Sequence, residues 1–222
     1  MRRQLPNQLT VARLVLAAAF FAVLNQYRFV GQADPQTPLL AAALALFLIA
    51  ALTDALDGYF ARRWNVVSLF GRIVDPVADK ILILGAFIYL AGPRFVVPLA
   101  MTPGPQNAPT HLEPPAVEMA SGVHPWMVVV ILLRELGVTS IRAAMESRGI
   151  DFSARWSGKI KMILQVLAVP IILIAVWLDP LANPTVAIFR DVVVWATVLA
   201  TIVSGLPYIA GAANAARANP RP

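Results

Sequence analysis

The sequence predicts an all-α, polytopic membrane protein with six transmembrane helices and both termini in the cytoplasm. One reason is composition: 59% of the 222 residues are hydrophobic and only 14% are charged, whereas soluble domains carry roughly 25% charged residues. Another is that six apolar segments approach or exceed the length of about 20 residues that a transmembrane helix needs. Finally, basic residues concentrate on alternate connections between these segments.

The six predicted spans are all rich in Ala, Leu, Ile and Val, as membrane helices are. Most of the connections between them are short, and the chain shows no internal repeat of the kind found in transporters with inverted halves. We therefore treat residues 1–222 as one integral membrane domain. The spans cover residues 9–29, 38–60, 72–92, 125–146, 159–178 and 186–212.

The long connection between the third and fourth spans, residues 93–124, is predicted to be an exposed loop. The stretch from Gly92 to Pro125 contains eight prolines, and Arg94 is its only lysine or arginine. Proline lacks a backbone N–H and fixes its φ angle, so this stretch is a poor candidate for a seventh helix.

Basic residues mark the other set of helix ends, which the positive-inside rule assigns to the cytoplasm. This places the protein in the cell membrane with both termini inside. The basic residues are spread over several connections, which argues against a nucleic-acid-binding patch. They are Arg2, Arg3, Arg62, Arg63, Arg142, Arg148, Arg155, Lys159, Lys161, Arg217 and Arg221.

Four aspartates lie close to the junction between spans two and three. Asp54 and Asp57 are three residues apart and share one helix face, and Asp75 and Asp79, four residues apart, share a face of the next helix. The second span runs inward and the third runs outward. At 1.5 Å per residue, all four carboxylates should lie within about two helical turns of the cytoplasmic interface.

Carboxylates held this close repel one another, by about 4 kcal/mol for two unit charges 4 Å apart at an effective dielectric constant of 20. Two divalent cations would neutralise them, and oxygen ligands in a chain without cysteine favour Mg²⁺ or Mn²⁺ over zinc. Two such ions commonly assist phosphoryl transfer. The alternative is that the aspartates cap helix ends or pair with basic neighbours, namely Arg62, Arg63, Arg72 and Lys80.

These residues resemble the signature of the CDP-alcohol phosphatidyltransferase family at eight positions without a gap. The resemblance implies a six-helix membrane enzyme that moves a phosphatidyl group from a CDP-linked lipid to an alcohol and releases CMP, and such enzymes can form homodimers. The matching residues read Asp54-x-x-Asp57-Gly58-x-x-Ala61-Arg62 and Gly71-x-x-x-Asp75-x-x-x-Asp79.

The same resemblance implies a role for each matching residue. Asp54, Asp57 and Asp75 would hold one metal ion, and Asp54 and Asp75 would hold the second together with Asp79. Asp79 would also be the general base that takes the proton from the acceptor hydroxyl. The CDP-lipid site would consist of Asp54, Asp57, Gly58, Ala61, Arg62, Gly71 and Asp75.

Three further segments resemble the phosphatidylglycerophosphate synthases within that family, which implies CDP-diacylglycerol as the donor and glycerol 3-phosphate as the acceptor. One departure is Met162, where these enzymes usually carry threonine. The segments are Pro6-Asn7-Gln8-Leu9-Thr10-x-x-Arg13, Arg134-Glu135 with Arg142, Glu146 and Gly149, and Gly158-Lys159-Ile160-Lys161 with Gln165.

A basic wall for the acceptor phosphate is predicted on spans four and five, formed by Arg134, Arg142, Lys159 and Lys161. Arg134 lies near half depth, where an unpaired guanidinium is costly. Its alternative explanation is an ion pair with Glu135. Inositol phosphate remains an alternative acceptor, and outside this chemistry a cation-coupled transporter or a membrane scaffold remains possible. The transporter would more often place its carboxylates at the midplane in broken helices, and the scaffold leaves the aspartates unexplained.

Overall fold

The computed structural model describes residues 5–30, 37–64, 69–97, 118–149, 156–179 and 181–218, and this part of the chain is all-helical. It contains no β-strand, only an isolated antiparallel bridge between Val96 and Met119. A short 3₁₀ turn spans Pro93–Phe95. The six α-helices are α1 Leu5–Gln26, α2 Thr37–Trp64, α3 Leu69–Leu90, α4 Pro125–Glu146, α5 Trp156–Trp177 and α6 Pro184–Ala218.

Each of the six predicted spans contains a helix, but α1 ends three residues before residue 29 and α3 two residues before residue 92. Helix α4 begins and ends where the sequence predicts. Pro125 opens that helix, and its fixed φ suits the first helical position. Other helices extend beyond the predicted spans: α2 continues four residues past residue 60 and α6 six residues past residue 212. Hydropathy misses these ends because a helix can continue after its side chains become polar.

Two helices in the described part of the chain are long and apolar enough to cross a membrane by composition, Trp156–Trp177 and Pro184–Asn214. Three apolar stretches are shorter, namely Thr10–Gln26, Pro38–Asp54 and Lys80–Leu90. The stretch in α2 therefore ends at an aspartate of the predicted metal site, and the stretch in α3 begins beside another. The count of six spans stays a prediction.

The helices pack with α1 against both α2 and α3, and with α6 against both α4 and α5, while α5 also contacts α2 and α3. Aromatic rings fill the contacts of α1: Phe20 packs on Phe47 of α2, and Phe21 stacks on Tyr89 of α3 with ring centroids 5.3 Å apart. Gly85 permits this approach, because a Cβ there would lie 2.3 Å from the Phe21 ring.

The prediction that residues 93–124 form an exposed loop is wrong for both described ends of that segment. Phe95, Ala120 and Val123 are fully buried. The backbone N–H of Ala120 donates to the Phe95 carbonyl at 2.7 Å, so the two ends pair with each other. A high proline content indicates that a segment is not helical, but it does not show that the segment is exposed. Here these apolar residues between the prolines are buried in the protein. The stretch 98–117 lies outside the described residues.

Arg190 of α6 holds the C-terminal end of this segment, residues 118–124, in place. It is buried, and its Nη1 donates to the Ala120 carbonyl at 2.7 Å while Asp191 balances its charge at 2.8 Å. Ser121 also donates to the carbonyl of Leu90 at the end of α3. This end of the molecule is thus closed by a cap that joins α3, α4 and α6.

Candidate functional site

Asp54 is the one predicted metal ligand whose side chain the structure describes. Its Oδ1 lies 2.7 Å from Nη1 of Arg13, and the Asp54 side chain is 31% exposed while that of Arg13 is 2% exposed. Arg13 comes from α1, which packs directly on α2. A guanidinium this deeply buried needs a partner, because desolvation of an unpaired charge is costly. From sequence alone, Arg13 is only one residue of a motif, and its pairing with Asp54 is not predicted.

The other three aspartates are on the predicted helices, although their side chains lie outside the described residues. Asp57 is on α2, and Asp75 and Asp79 are on α3. Asp54 lies ten residues before the end of α2, and Asp79 lies ten residues after the start of α3, or about 15 Å along each axis. Asp54 and Asp79 are thus equally far from the two helix ends that residues 65–68 connect, as expected for residues at a similar depth in the membrane.

The predicted metal and CDP-lipid sites therefore remain predictions. Among the side chains that are described, no three histidine, aspartate or glutamate groups converge on a point. The remaining residues assigned to the CDP-lipid site, Gly58, Ala61, Arg62 and Gly71, belong to α2 and α3 but also lie outside the described side chains.

A cavity of about 520 Å³ brings together the four cations of the predicted acceptor site. We call it the basic cavity. It lies among α3, α4, α5 and α6, and five basic and two acidic residues line it. The basic residues are Lys80, Arg134, Arg142, Lys159 and Lys161, and the acidic ones are Glu135 and Glu146.

Carboxylates hold three of these cations. Glu135 Oε1 accepts from Arg134 Nη1 at 3.1 Å and also from the ammonium of Lys161. Arg142 Nη2 lies 3.5 Å from Glu146 Oε1 on the same helix. The alternative explanation for Arg134, an ion pair with Glu135, is thus observed, and Arg134 nevertheless lines the cavity with the other cations.

Lys159 has a different neighbour. Its ammonium lies 4.9 Å from the centroid of the Trp156 ring, within the range of a cation–π contact. Lys159 is exposed, whereas Lys161 is buried. The four cations therefore extend from the buried part of the cavity to its exposed edge.

Two guanidinium nitrogens in the basic cavity have no hydrogen-bond partner within the described part of the chain. They are Nε of Arg134 and Nε of Arg142, both shielded from solvent. A buried donor left without a partner costs about 1–3 kcal/mol. An anion or water in the cavity would satisfy both donors, and Arg's planar array of N–H groups suits a phosphate.

Lys80 connects the basic cavity to the helix that carries Asp75 and Asp79. Its Nζ donates to Thr139 Oγ1 at 2.5 Å, and that hydroxyl donates to the Glu135 carbonyl at 2.7 Å. The sequence predicts for Lys80 only a role as a possible counter-ion of the aspartates. Its position directly after Asp79 was the available signal that it belongs beside the site.

A second cavity, of about 260 Å³ and mostly apolar, includes Arg13 and Asp54 in its lining. Ile83 and Met162 line both cavities, so these two side chains lie between the Asp54 region and the basic cavity. Met162, the departure from the resembling sequences, therefore lies at the boundary between the two cavities. No sequence pattern predicts that position.

Known proteins match this sequence along nearly the whole chain. A family model described as CDP-alcohol phosphatidyltransferase matches residues 3–203. The CDP-diacylglycerol–glycerol-3-phosphate 3-phosphatidyltransferase of Bacillus subtilis (strain 168) is 34% identical over 210 residues, which cover 92% of each chain.

Two further relatives are similar. A probable phosphatidylglycerophosphate synthase of Mycobacterium tuberculosis (strain H37Rv) is 33% identical over 208 residues, 94% of this chain and 81% of that protein. A CDP-diacylglycerol–glycerol-3-phosphate 3-phosphatidyltransferase of Cereibacter sphaeroides is 31% identical over 184 residues, 82% of this chain and 68% of that protein.

Proposed function

The chain belongs to the CDP-alcohol phosphatidyltransferase family, and we propose that it transfers the phosphatidyl group of CDP-diacylglycerol to glycerol 3-phosphate. The products are phosphatidylglycerophosphate and CMP, which makes the protein an enzyme of phospholipid biosynthesis. The names of the three relatives refer to this donor and acceptor or to this product. Their similarity extends over most of both chains, so the proposal rests on nearly all of this sequence.

The observation that carries the choice of acceptor is the basic cavity, in which two shielded guanidinium nitrogens have no partner among the described residues. A dianionic phosphate fits five basic residues balanced by two carboxylates, and each charge-assisted hydrogen bond contributes about 1.5–3 kcal/mol. Serine, a zwitterion without a phosphate, has no dianionic group to match this excess of positive charge. We therefore assign the phosphate of glycerol 3-phosphate to Arg134, Arg142, Lys159 and Lys161.

Two Mg²⁺ or Mn²⁺ ions would be held by Asp54, Asp57, Asp75 and Asp79. Asp54 fits this role because its carboxylate is a hard oxygen donor, is partly exposed and lines a cavity. The ions would stabilise negative charge on the diphosphate as its bond breaks. Arg13 holds one oxygen of Asp54 and so restricts the orientation of that carboxylate.

In the proposed reaction a hydroxyl oxygen of glycerol 3-phosphate attacks the phosphorus that carries diacylglycerol, and CMP leaves as the P–O–P bond breaks. Asp79 accepts the hydroxyl proton. The CDP group would lie along Gly58, Ala61, Arg62 and Gly71 of α2 and α3. Lys80 supports this arrangement, because it lines the acceptor cavity and directly follows Asp79 in α3.

The protein is proposed to span the cell membrane six times, with both termini and the basic cavity on the cytoplasmic side. Two described helices are apolar and long enough to cross a membrane. The positively charged ends of α4 and α5, where Arg142 and Lys159 lie, support a cytoplasmic position for the cavity. Homodimer formation is part of the same proposal, and light scattering of the purified protein measures it.

The test is an assay of CMP release by the purified full-length protein with CDP-diacylglycerol and Mg²⁺. Glycerol 3-phosphate, inositol phosphate, glycerol and serine are compared as acceptors, and Asp79→Asn serves as the inactive control. Glycerol 3-phosphate should give the highest kcat/KM, and excess chelator should abolish turnover. Equal or faster turnover with inositol phosphate would refute the acceptor assignment. An absence of CMP release with every acceptor would refute the enzyme proposal and leave transport as the alternative.

A further inference from the structure

We propose that Glu135 is a positioning residue that sets the spacing of two phosphate-binding cations and thereby determines affinity for the acceptor. This inference rests on the proposed function. The carboxylate itself is negative and would repel a phosphate, so its presence in a cavity that binds phosphate needs an explanation. Its contacts provide one.

One oxygen of Glu135 contacts cations from two different helices. Oε1 accepts from Nη1 of Arg134 on α4 and from the ammonium of Lys161 on α5. The side chains are well shielded, with exposures of 12% for Glu135, 11% for Arg134 and 6% for Lys161. Shielding from water strengthens both contacts, so the carboxylate fixes the two cations relative to each other.

The surroundings restrict Arg134 further. Its Nη2 lies 3.5 Å from the Ser204 carbonyl of α6, and a Cβ at Gly205 would lie 3.3 Å from its Cγ. The backbone carbonyl of Glu135 accepts from Thr139, which in turn accepts from Lys80. Glu135 is thus connected, directly or through one neighbour, to the cavity-lining side chains of Lys80 on α3 and Lys161 on α5, and to the Ser204 carbonyl of α6.

Without the carboxylate, Arg134 and Lys161 would repel each other and their long side chains would separate. A phosphate can accept from both only if they remain close enough to contact it together. One negative charge does not reverse the sign of the cavity, since its lining still has three more basic than acidic residues. The phosphate affinity gained from the fixed positions of Arg134 and Lys161 can therefore exceed the affinity lost to the negative charge of Glu135.

These two effects predict opposite results for Glu135→Gln, which removes the charge and retains the size. If Glu135 acted only as a negative charge, the variant would bind the anionic acceptor more tightly. If Glu135 positions the two cations, the variant binds it more weakly. The direction of the change in acceptor KM therefore distinguishes the two explanations.

The experiment compares the full-length wild type with Glu135→Gln, Glu135→Asp and Glu118→Gln in the CMP-release assay. Glu118 is an exposed carboxylate seven residues before the start of α4, does not line the basic cavity, and is the control for loss of one acidic residue. We expect Glu135→Gln to raise the KM for glycerol 3-phosphate about tenfold, as on losing one charge-assisted hydrogen bond. The KM for CDP-diacylglycerol should stay the same. Glu135→Asp should give a smaller rise, and Glu118→Gln should match the wild type.

A double-mutant cycle with Lys161→Met tests whether Glu135 acts through Lys161. Lys161→Met alone should raise the acceptor KM, and adding Glu135→Gln should then change it by less than about twofold, because contacting residues are not additive. Full additivity, a lower acceptor KM in Glu135→Gln, or equal increases in both KM values with a lower Tm would overturn the inference. Wild-type protein that releases no CMP with glycerol 3-phosphate would instead refute the proposed function. If Glu135→Gln does not fold, Glu135→Asp and its cycle with Lys161→Met decide by the same criteria.

Discussion

Arg13 is a single buried cation whose contribution to the reaction can be measured through Asp54. Its guanidinium lies 2.7 Å from Asp54 Oδ1, and such a charge-assisted contact contributes about 1.5–3 kcal/mol. Arg13→Met should therefore lower kcat at saturating Mg²⁺ at least about tenfold, because the Asp54 carboxylate loses its fixed orientation. Arg13→Lys retains the charge and should recover part of the rate. A wild-type kcat in Arg13→Met would show that the ion pair has no role in turnover.

Substitution of Arg142 tests the acceptor site at the level of a single residue. It lines the basic cavity, and its shielded Nε has no partner in the described part of the chain. Arg142→Ala should raise the KM for glycerol 3-phosphate at least about tenfold, since 1.4 kcal/mol corresponds to that factor. The KM for CDP-diacylglycerol should change little. Arg148→Ala is the matched control, because Arg148 is exposed just beyond α4 and does not line the cavity. A defect confined to the lipid donor would place Arg142 in the donor site.

At the scale of elements, the cap that joins α3, α4 and α6 depends on Gly122. This residue has a φ of +69°, and a Cβ there would lie 2.7 Å from both Arg190 Nε and Asp191 Oδ1. Gly122→Ala should destabilise the protein by about 2–3 kcal/mol, from the backbone strain of a positive φ and the displaced ion pair. Thermal unfolding in detergent measures this effect as a lower Tm.

The Gly149→Ala variant measures the cost of backbone strain without the close contacts to Arg190 and Asp191 that Gly122→Ala would make. Gly149 has a φ of +74°, but a Cβ there would contact none of the described residues within 4 Å. The variant should cost only about 1–2 kcal/mol, the strain alone. Equal Tm values for the two variants would show that Arg190 and Asp191 move aside at little cost and that the cap is less tightly packed than the contacts indicate.

For the whole molecule, the sequence predicted the elements better than the contacts between them. The position of each helix follows from a local apolar run, so all six were found, and the ends of α4 were correct. The pairing of Glu135 with Lys161 joins residues 26 positions apart on two helices, and it depends on how α4 and α5 pack. The Arg13–Asp54 pair likewise depends on the packing of α1 against α2. Local patterns therefore identified the cations of the basic cavity and Glu135 as a possible partner of Arg134, but they did not predict that Glu135 also contacts Lys161.

The orientation of the whole chain in the membrane gives the last prediction. Because the natural chain has no cysteine, one introduced cysteine reports its own side of the membrane. Ser147→Cys and Ala182→Cys replace exposed residues just after α4 and between α5 and α6, so one helix separates them. If positive charge keeps the α4–α5 connection inside, a membrane-impermeant maleimide added to intact cells should label the Ala182→Cys variant and leave the Ser147→Cys variant unlabelled. Inverted vesicles should give the reverse result, and activity of both variants confirms insertion. Labelling of both cysteines from the same side would show that α5 does not cross the membrane, and the opposite sidedness would place the basic cavity away from cytoplasmic glycerol 3-phosphate.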